Sequence, residues 1–490
     1  MDLELLTRLQ FAVTTLYHYL FVPLSISLSL ITALLQTASL VGRPPFGRVA
    51  DRERWARLSL LTGKLLMATF AVGVVTGLVQ EFQFGLSWSS FARFYGDVFG
   101  PTLAIEGMLA FFLEATFLGL WWFGRDRLPR LLHLATIWVV AVGTTISAFV
   151  ILAANSFMQN PVAYTVDETT GRARLGSFAD LLTNPLNLAA FPHTLAGSLM
   201  AGGALVMAIG VWHLVRGAHP ADSEEFAAFR ALSRLGAWVT LVSGAATAAT
   251  GDALGKVITQ VQPMKMAAAE ALYSSTTSAP FSIFAYAPPG SDRPTFSVEV
   301  PGLLSFLAKG SFTARVSGLQ DLQDAYAAQF GPGDYTPWIP AAFWSFRLMI
   351  GVGMLAALVA LVHLWLTRSG RPLAVDSKVA SSVLWSVPVL PLLPMAANSF
   401  GWIFTETGRQ PWLVFGLFKT ADGVSPGLSA PEVVVSLVAF TVVYGALAWA
   451  WTALVLRLVR QGLPPLPAAR PAGDPTDDAA ARSADVAITY

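Results

Sequence analysis

Apolar residues in this chain come in unbroken blocks of membrane-crossing length, not at every third or fourth position as on a soluble helix. Such blocks run over Phe11–Leu40, Leu58–Val79, Leu103–Phe123, Leu131–Ala154, Phe191–Val215, Leu235–Val257, Ala341–Leu366, Val379–Phe404 and Val433–Leu456. Each reaches the ~20 residues a helix needs to cross hydrocarbon, so the pattern predicts an all-α polytopic membrane protein with nine transmembrane helices. One long polar break, residues 256–340, is rich in Pro, Ser and Gly with scattered aromatics, and is expected to form a partly ordered flap on the outer side. The tail from Gln461, with its Pro, Ala, Arg and Asp content, reads as a disordered cytoplasmic segment spanning 461–490 behind a membrane domain of 1–460. No internal repeat stands out, which argues against inverted-repeat transporter folds.

Charge sets the orientation. Arg43, Arg48, Arg52, Arg54, Arg57, Arg125, Arg127, Arg130, Arg216, Arg230, Arg234, Arg368, Arg371 and Lys378 fall in alternate short loops, and the tail adds more. The other loops hold far fewer, so the N-terminus is expected outside and the C-terminus inside. Met1-Asp2-Leu3-Glu4 lacks a basic leader, so the first block is expected to be a true span with no cleaved signal peptide. Composition agrees, with 54% hydrophobic residues, 12% charged and a mean hydropathy of +0.58. The absence of Cys excludes disulfides, thiolate metal sites and covalently attached haem. A net charge of +1 points to no particular partner, and no nucleic acid is expected.

Polar residues inside apolar blocks are costly, and this makes them the candidates for chemistry. The densest group is Gly401-Trp402-Ile403-Phe404-Thr405-Glu406-Thr407-Gly408-Arg409-Gln410-Pro411-Trp412, at the expected mouth of the eighth helix. An aromatic belt with a snorkelling Arg is the bland reading of any one member, and the density of the cluster favours function. His18 lies between two tyrosines and ahead of Pro23, and is either a packed histidine or a ligand. Glu106 and Glu114 in the third block are about 12 Å apart along the helix axis and about 80° apart around it, placing them in reach of one interior space. They suit a proton relay, a haem contact or paired bundle contacts. His193 and Met349, from different helices at matched depth, suit the two axial positions of one haem iron. Arg347 beside Met349 needs a partner, for which a haem propionate would serve. Lys265 and Glu270, on an Ala/Met-rich stretch expected to be helical, suit a quinol headgroup and its proton, or form a solvated charge pair. Topology counting puts His18, Glu106, His193, Met349, Glu406 and Arg409 all toward the outer face, which favours several non-covalent haems near that surface.

The run Gly401 to Trp412 resembles the signature of subunit I of the cytochrome bd quinol oxidases. So do Arg8-Leu9-Gln10-Phe11, Tyr17-His18, Glu81-Phe82-Gln83-Phe84-Gly85, Ala104-Ile105-Glu106-Gly107, Phe112-Leu113-Glu114, Met158-Gln159-Asn160-Pro161, His193-Thr194 and Phe346-Arg347-Leu348-Met349. The resemblance runs from the N-terminus to the ninth block. It implies a nine-helix subunit of the bacterial cytoplasmic membrane that holds three haems and uses a quinol to reduce O2 to water. His193 and Met349 would then ligate haem b558. His18 and Glu406 would each serve one of the two high-spin haems, b595 and d, with haem b able to stand in for haem d. Glu106 would lie beside that pair, and Lys265 and Glu270 would form the quinol-loop pair. The resemblance further implies a second multi-helix subunit II and small single-helix accessory subunits. The loop is short beside that of the best-known members and lacks their C-terminal insert.

On this reading Glu270 accepts a proton from quinol, which leaves on the outside. Protons for water come from the cytoplasm past Glu114, Ser147 and Glu106, so charge separates without a pump. Two other classes remain open to the sequence. A secondary transporter with a carboxylate relay accounts for Glu106 and Glu114 but leaves Met349, His193 and the Gly-Arg-Gln-Pro-Trp run unexplained. A haem electron carrier without oxygen chemistry is the other.

Overall fold

The computed structural model describes residues 2–41, 51–216, 220, 222–287, 293–368 and 386–465. The expected tail falls almost wholly outside them, as do the start of the eighth apolar block and the basic residues Arg43, Arg48, Arg371 and Lys378.

Among the described residues nine long helices carry the fold: α1 (Leu3–Val41), α2 (Arg52–Leu86), α3 (Ser89–Phe123), α4 (Arg130–Gln159), α5 (Pro185–Val215), α6 (Glu224–Val261), α7 (Ile339–Leu366), α8 (Val389–Gly408) and α9 (Ala430–Gln461). Seven of them, all but α6 and α8, are long and apolar enough among the described residues to cross a membrane. Their ends follow local chemistry. Asn184 caps α5 by accepting from the Leu186 amide ahead of Pro185, Ser223 caps α6 through the Phe226 amide, and Ser429 with Glu432 forms a capping box on α9. The helices overrun the apolar blocks because caps, not hydropathy, end a helix. Helix α3 starts at Ser89, well before Leu103, where the Ser425 hydroxyl rather than a neighbouring cap receives the Ser89 amide.

Helix α5 is the hub, packing on α1, α4, α6 and α8. Its Ala201-Gly202-Gly203-Ala204 run brings backbones together: a Cβ on Gly203 would lie 2.8 Å from the Thr240 amide nitrogen, and one on Gly210 would lie 2.6 Å from the Phe229 carbonyl. Small residues are how helices approach where no hydrophobic effect pulls them together. Helices α7 and α9 instead turn Met354, Val435 and Trp449 outward.

Helix α3 departs from expectation. Met108–Leu113 forms a π-helical turn between Glu106 and Glu114, so their angular separation is not the 100° per residue of an ideal α-helix. Gly143 on α4 faces this turn, where a methyl would meet Leu113 Cδ2 at 2.7 Å.

One end of the bundle is closed by connections that bond to one another. The Phe415 amide donates to the Met158 carbonyl and the Ser425 amide to the Ser87 carbonyl. Gln262 donates from Nε2 to the Gln159 carbonyl at 2.5 Å. The α6–α7 connection is well structured in its described part: α6 runs through Lys256 to Val261, then Pro263–Ala269 forms a short helix. Antiparallel ladders Phe281–Tyr286 with Phe296–Val300 and Thr276–Thr277 with Arg315–Val316 follow, along with helices Leu303–Lys309 and Leu319–Phe330.

Candidate functional site

Lys265 and Glu270 lie under this cap and are 1% and 3% exposed, which removes the solvated charge pair. Nor do they pair with each other. The Lys265 ammonium donates to Gln159 Oε1 at 2.6 Å and lies 5.4 Å from the Phe404 ring centre. Its stem crosses Gly408, where a Cβ would meet Lys265 Cγ at 2.7 Å. Glu270 instead receives Arg347 in a fork, Nη2 at 2.6 Å and Nη1 at 3.3 Å. Arg347 therefore finds its anionic partner within the protein. Its Nε donates to the Ser282 carbonyl at 2.5 Å, and the rings of Phe281, Phe343 and Phe346 surround the guanidinium at 4.2–5.2 Å. Burial pushes Glu270 up to about 7, opposed by the guanidinium, and pulls Lys265 down to about 7, opposed by Glu406. Burial thus brings both groups toward neutrality from opposite sides.

Beside them opens a cavity of about 670 Å³ lined by His18, Glu106, Glu114, Ser147, Trp402, Glu406 and Arg409 among others, a volume in the range of small-molecule and cofactor sites. Arg409 holds Glu406 Oε2 through Nη2 and Nε at 2.5 and 2.9 Å and spends Nη1 on the Leu413 carbonyl at 2.6 Å. Asn155 donates to Glu406 Oε1 at 3.1 Å. Trp402 packs edge-on to Tyr19 at 5.2 Å. Glu81 from α2 also lines the cavity and hydrogen-bonds Glu106. Two carboxyl groups bonded to one another share a proton between them.

The histidines are held in one tautomer. Thr76 spends its hydroxyl hydrogen on the Val72 carbonyl at 2.9 Å, so toward His18 it accepts, and the 2.9 Å contact fixes the proton on His18 Nδ1. His193 Nδ1 likewise faces the Thr247 carbonyl at 3.1 Å, an acceptor only. Both rings keep the Nε2 lone pair available, the arrangement in which a histidine ligates a metal. Glycines stand against three of the four candidate haem ligands. A Cβ on Gly77 would lie 3.1 Å from His18 Cε1, on Gly251 3.1 Å from His193 Cε1, and on Gly401 3.0 Å from Met349 Sδ. Imidazole and thioether donors with backbone-close approaches fit a flat iron macrocycle.

The sequence reading passed over Glu81, Asn155, Gln159 and these glycines. Glu81, Gln159 and Gly401 stand inside recognised runs without a role there, and nothing one-dimensional marks Asn155, Gly77 or Gly251.

The family model described as cytochrome bd terminal oxidase subunit I matches residues 6–463. The chain is 41% identical to cytochrome bd ubiquinol oxidase subunit 1 of Bacillus subtilis (strain 168), covering 93% of each chain. It is 33% identical to cytochrome bd-II ubiquinol oxidase subunit 1 of Escherichia coli (strain K12), covering 93% of this chain and 96% of that one. Its fold is similar to the bd oxidase from Geobacillus thermodenitrificans, with a TM-score of 0.81, 28% identity, and coverage of 94% and 99%.

Proposed function

Because the chain belongs to the cytochrome bd terminal oxidase subunit I family, we propose that it is the haem-bearing subunit of a bacterial respiratory oxidase that oxidises a quinol and reduces O2 to water. The observation that carries this is the donor set: two histidines locked with Nε2 free, and a thioether, each backed by a glycine. The bound haems would supply one-electron transfer and an open iron position for O2. On this reading His193 and Met349 hold haem b558, and His18 and Glu406 each hold one of the high-spin haems, b595 and d or a b-type substitute.

The chain's own residues do the proton work. Glu270, able to lose its proton near neutrality, accepts one from the quinol hydroxyl, and Lys265 donates a hydrogen bond to the headgroup oxygen. Arg347 keeps Glu270 in place. Glu114, Ser147 and Glu106 line the cavity and carry protons to it, with Glu81 sharing the proton of Glu106. This reading takes all nine helices as spans, the N-terminus outside, the capped end at the outer face and residence in the cytoplasmic membrane. Subunit II, with any single-helix accessory subunits, walls the proton route, since lipid cannot satisfy polar groups.

The visible spectrum of the purified membrane protein tests the proposal. A Soret band, with CO binding to the reduced form, is the expected result. A protein without a Soret band is no oxidase, and one that carries haem but does not bind CO is only an electron carrier.

A further inference from the structure

Lys265 and Glu406 are the two ends of one hydrogen-bonded chain. Lys265 Nζ donates to Gln159 Oε1 at 2.6 Å, Gln159 Nε2 donates to Asn155 Oδ1 at 2.7 Å, and Asn155 Nδ2 donates to Glu406 Oε1 at 3.1 Å. Gln159 and Asn155 are one helical turn apart on α4, so they stack along one face. The direction of the chain is dictated from the carboxylate end and agrees with the lysine end. Lys265 in its ammonium form only donates, which matches Gln159 turning its oxygen to Lys265 and its nitrogen to Asn155. A carboxylate only accepts, so Asn155 must turn its nitrogen to Glu406. Neither amide can flip alone without setting donor against donor or acceptor against acceptor. Surrounding contacts fix the frame: Gln262 holds the Gln159 carbonyl, Gly408 admits the Lys265 stem, and Arg409 takes the other oxygen of Glu406.

From this geometry we propose that Gln159 and Asn155 are positioning residues that couple the quinol headgroup site at Lys265 to the carboxylate ligand Glu406. The inference rests on the assignment of Lys265 to the quinol and Glu406 to a haem. When a headgroup draws the ammonium away from Gln159, the chain loses its Lys265 end, Gln159 is held from the Asn155 side alone, and the hydrogen bond on Glu406 weakens. Occupancy of the quinol site is thereby registered at the high-spin haem that Glu406 serves.

The test uses purified holoenzyme and a hydroxyquinoline N-oxide as a redox-inert occupant of the quinol site. In the unmodified enzyme the probe is expected to shift the ferrous high-spin haem band. Gln159→Leu, which cuts the chain between Lys265 and Glu406, should abolish that shift. Gln159→Glu separates the two halves, since its carboxylate still accepts from Lys265 but cannot donate to Asn155. It should lose the probe-induced shift even though the contact to Lys265 is kept. An unchanged low-spin band certifies folding in each variant, and if Gln159→Leu fails to assemble, Gln159→Glu decides alone. No probe-induced shift in the unmodified enzyme, or a full shift in Gln159→Glu, overturns the proposal. If Lys265→Met leaves the quinol KM unchanged, the quinol-site assignment falls first and takes the coupling with it.

Discussion

Replacing Arg347 by Leu should convert Glu270 from a base that works at neutral pH into one that works only in alkali. The side chains are 8% and 1% exposed and meet at 2.6 Å, so solvent screens the pair little. At an effective dielectric of about 20, opposite charges about 4 Å apart attract by about 4 kcal/mol, equivalent to about three pKa units. Relaxation and the remaining backbone hydrogen bond from Ser282 reduce this, and a rise of about two units is the working figure. The sign follows from the acid. Arg347 favours the ionised form, so its loss raises the pKa further above that of a free carboxylate. With Glu270 at about 7, about half is ionised at pH 7. After a two-unit rise about 1% is, so quinol oxidation at pH 7 should fall about fiftyfold and recover as pH increases. Steady-state quinol kinetics across pH, beside turnover on an artificial one-electron donor, is the assay. The donor rate should barely change, because no proton is lost there. A quinol profile that keeps its midpoint while the low-spin haem spectrum shifts would refute the reasoning and return Arg347 to a propionate.

Two further outcomes are expected. Met349→Leu or His193→Ala should remove the low-spin haem signal and leave CO-reactive haem, read from reduced-minus-oxidised and CO difference spectra; equal loss of every haem signal from a folded protein counts against the ligand assignment. Gly251→Ala and Gly401→Ala, which bring a methyl to 3.1 Å from His193 Cε1 and 3.0 Å from Met349 Sδ, should shift the low-spin band, whereas Gly353→Ala, with only Ala397 Cβ at 3.8 Å, should not; identical spectra for all three would mean the glycines do not set ligand position.

The sequence by itself determined what depends on neighbours along the chain. Apolar blocks of spanning length can only be helices, because an isolated segment in hydrocarbon must satisfy its own backbone. Among the described residues each block falls on a helix, the eighth from Val389, and seven of these helices are long and apolar enough to cross a membrane. The candidates were legible for a related reason: His18, Glu106, His193 and Glu406 stand out as costly polar groups in apolar surroundings. Partner choice was not legible. Glu270 and Arg347 are 77 residues apart in sequence, Lys265 and Gln159 are 106 apart, and Asn155 and Glu406 are 251 apart. Nearness in sequence suggested pairing Lys265 with Glu270, yet in the fold each turns to a more distant partner. The π-helical turn in α3 has no signature in Met108–Leu113, whose residues suit an α-helix equally well. The histidine tautomers were decided by Thr76 and the Thr247 carbonyl, and the clearance around the ligands by Gly77, Gly251 and Gly401. A hydrogen-bond acceptor and the absence of a methyl group act only at contact, and contact between separate helices exists only once the bundle has packed.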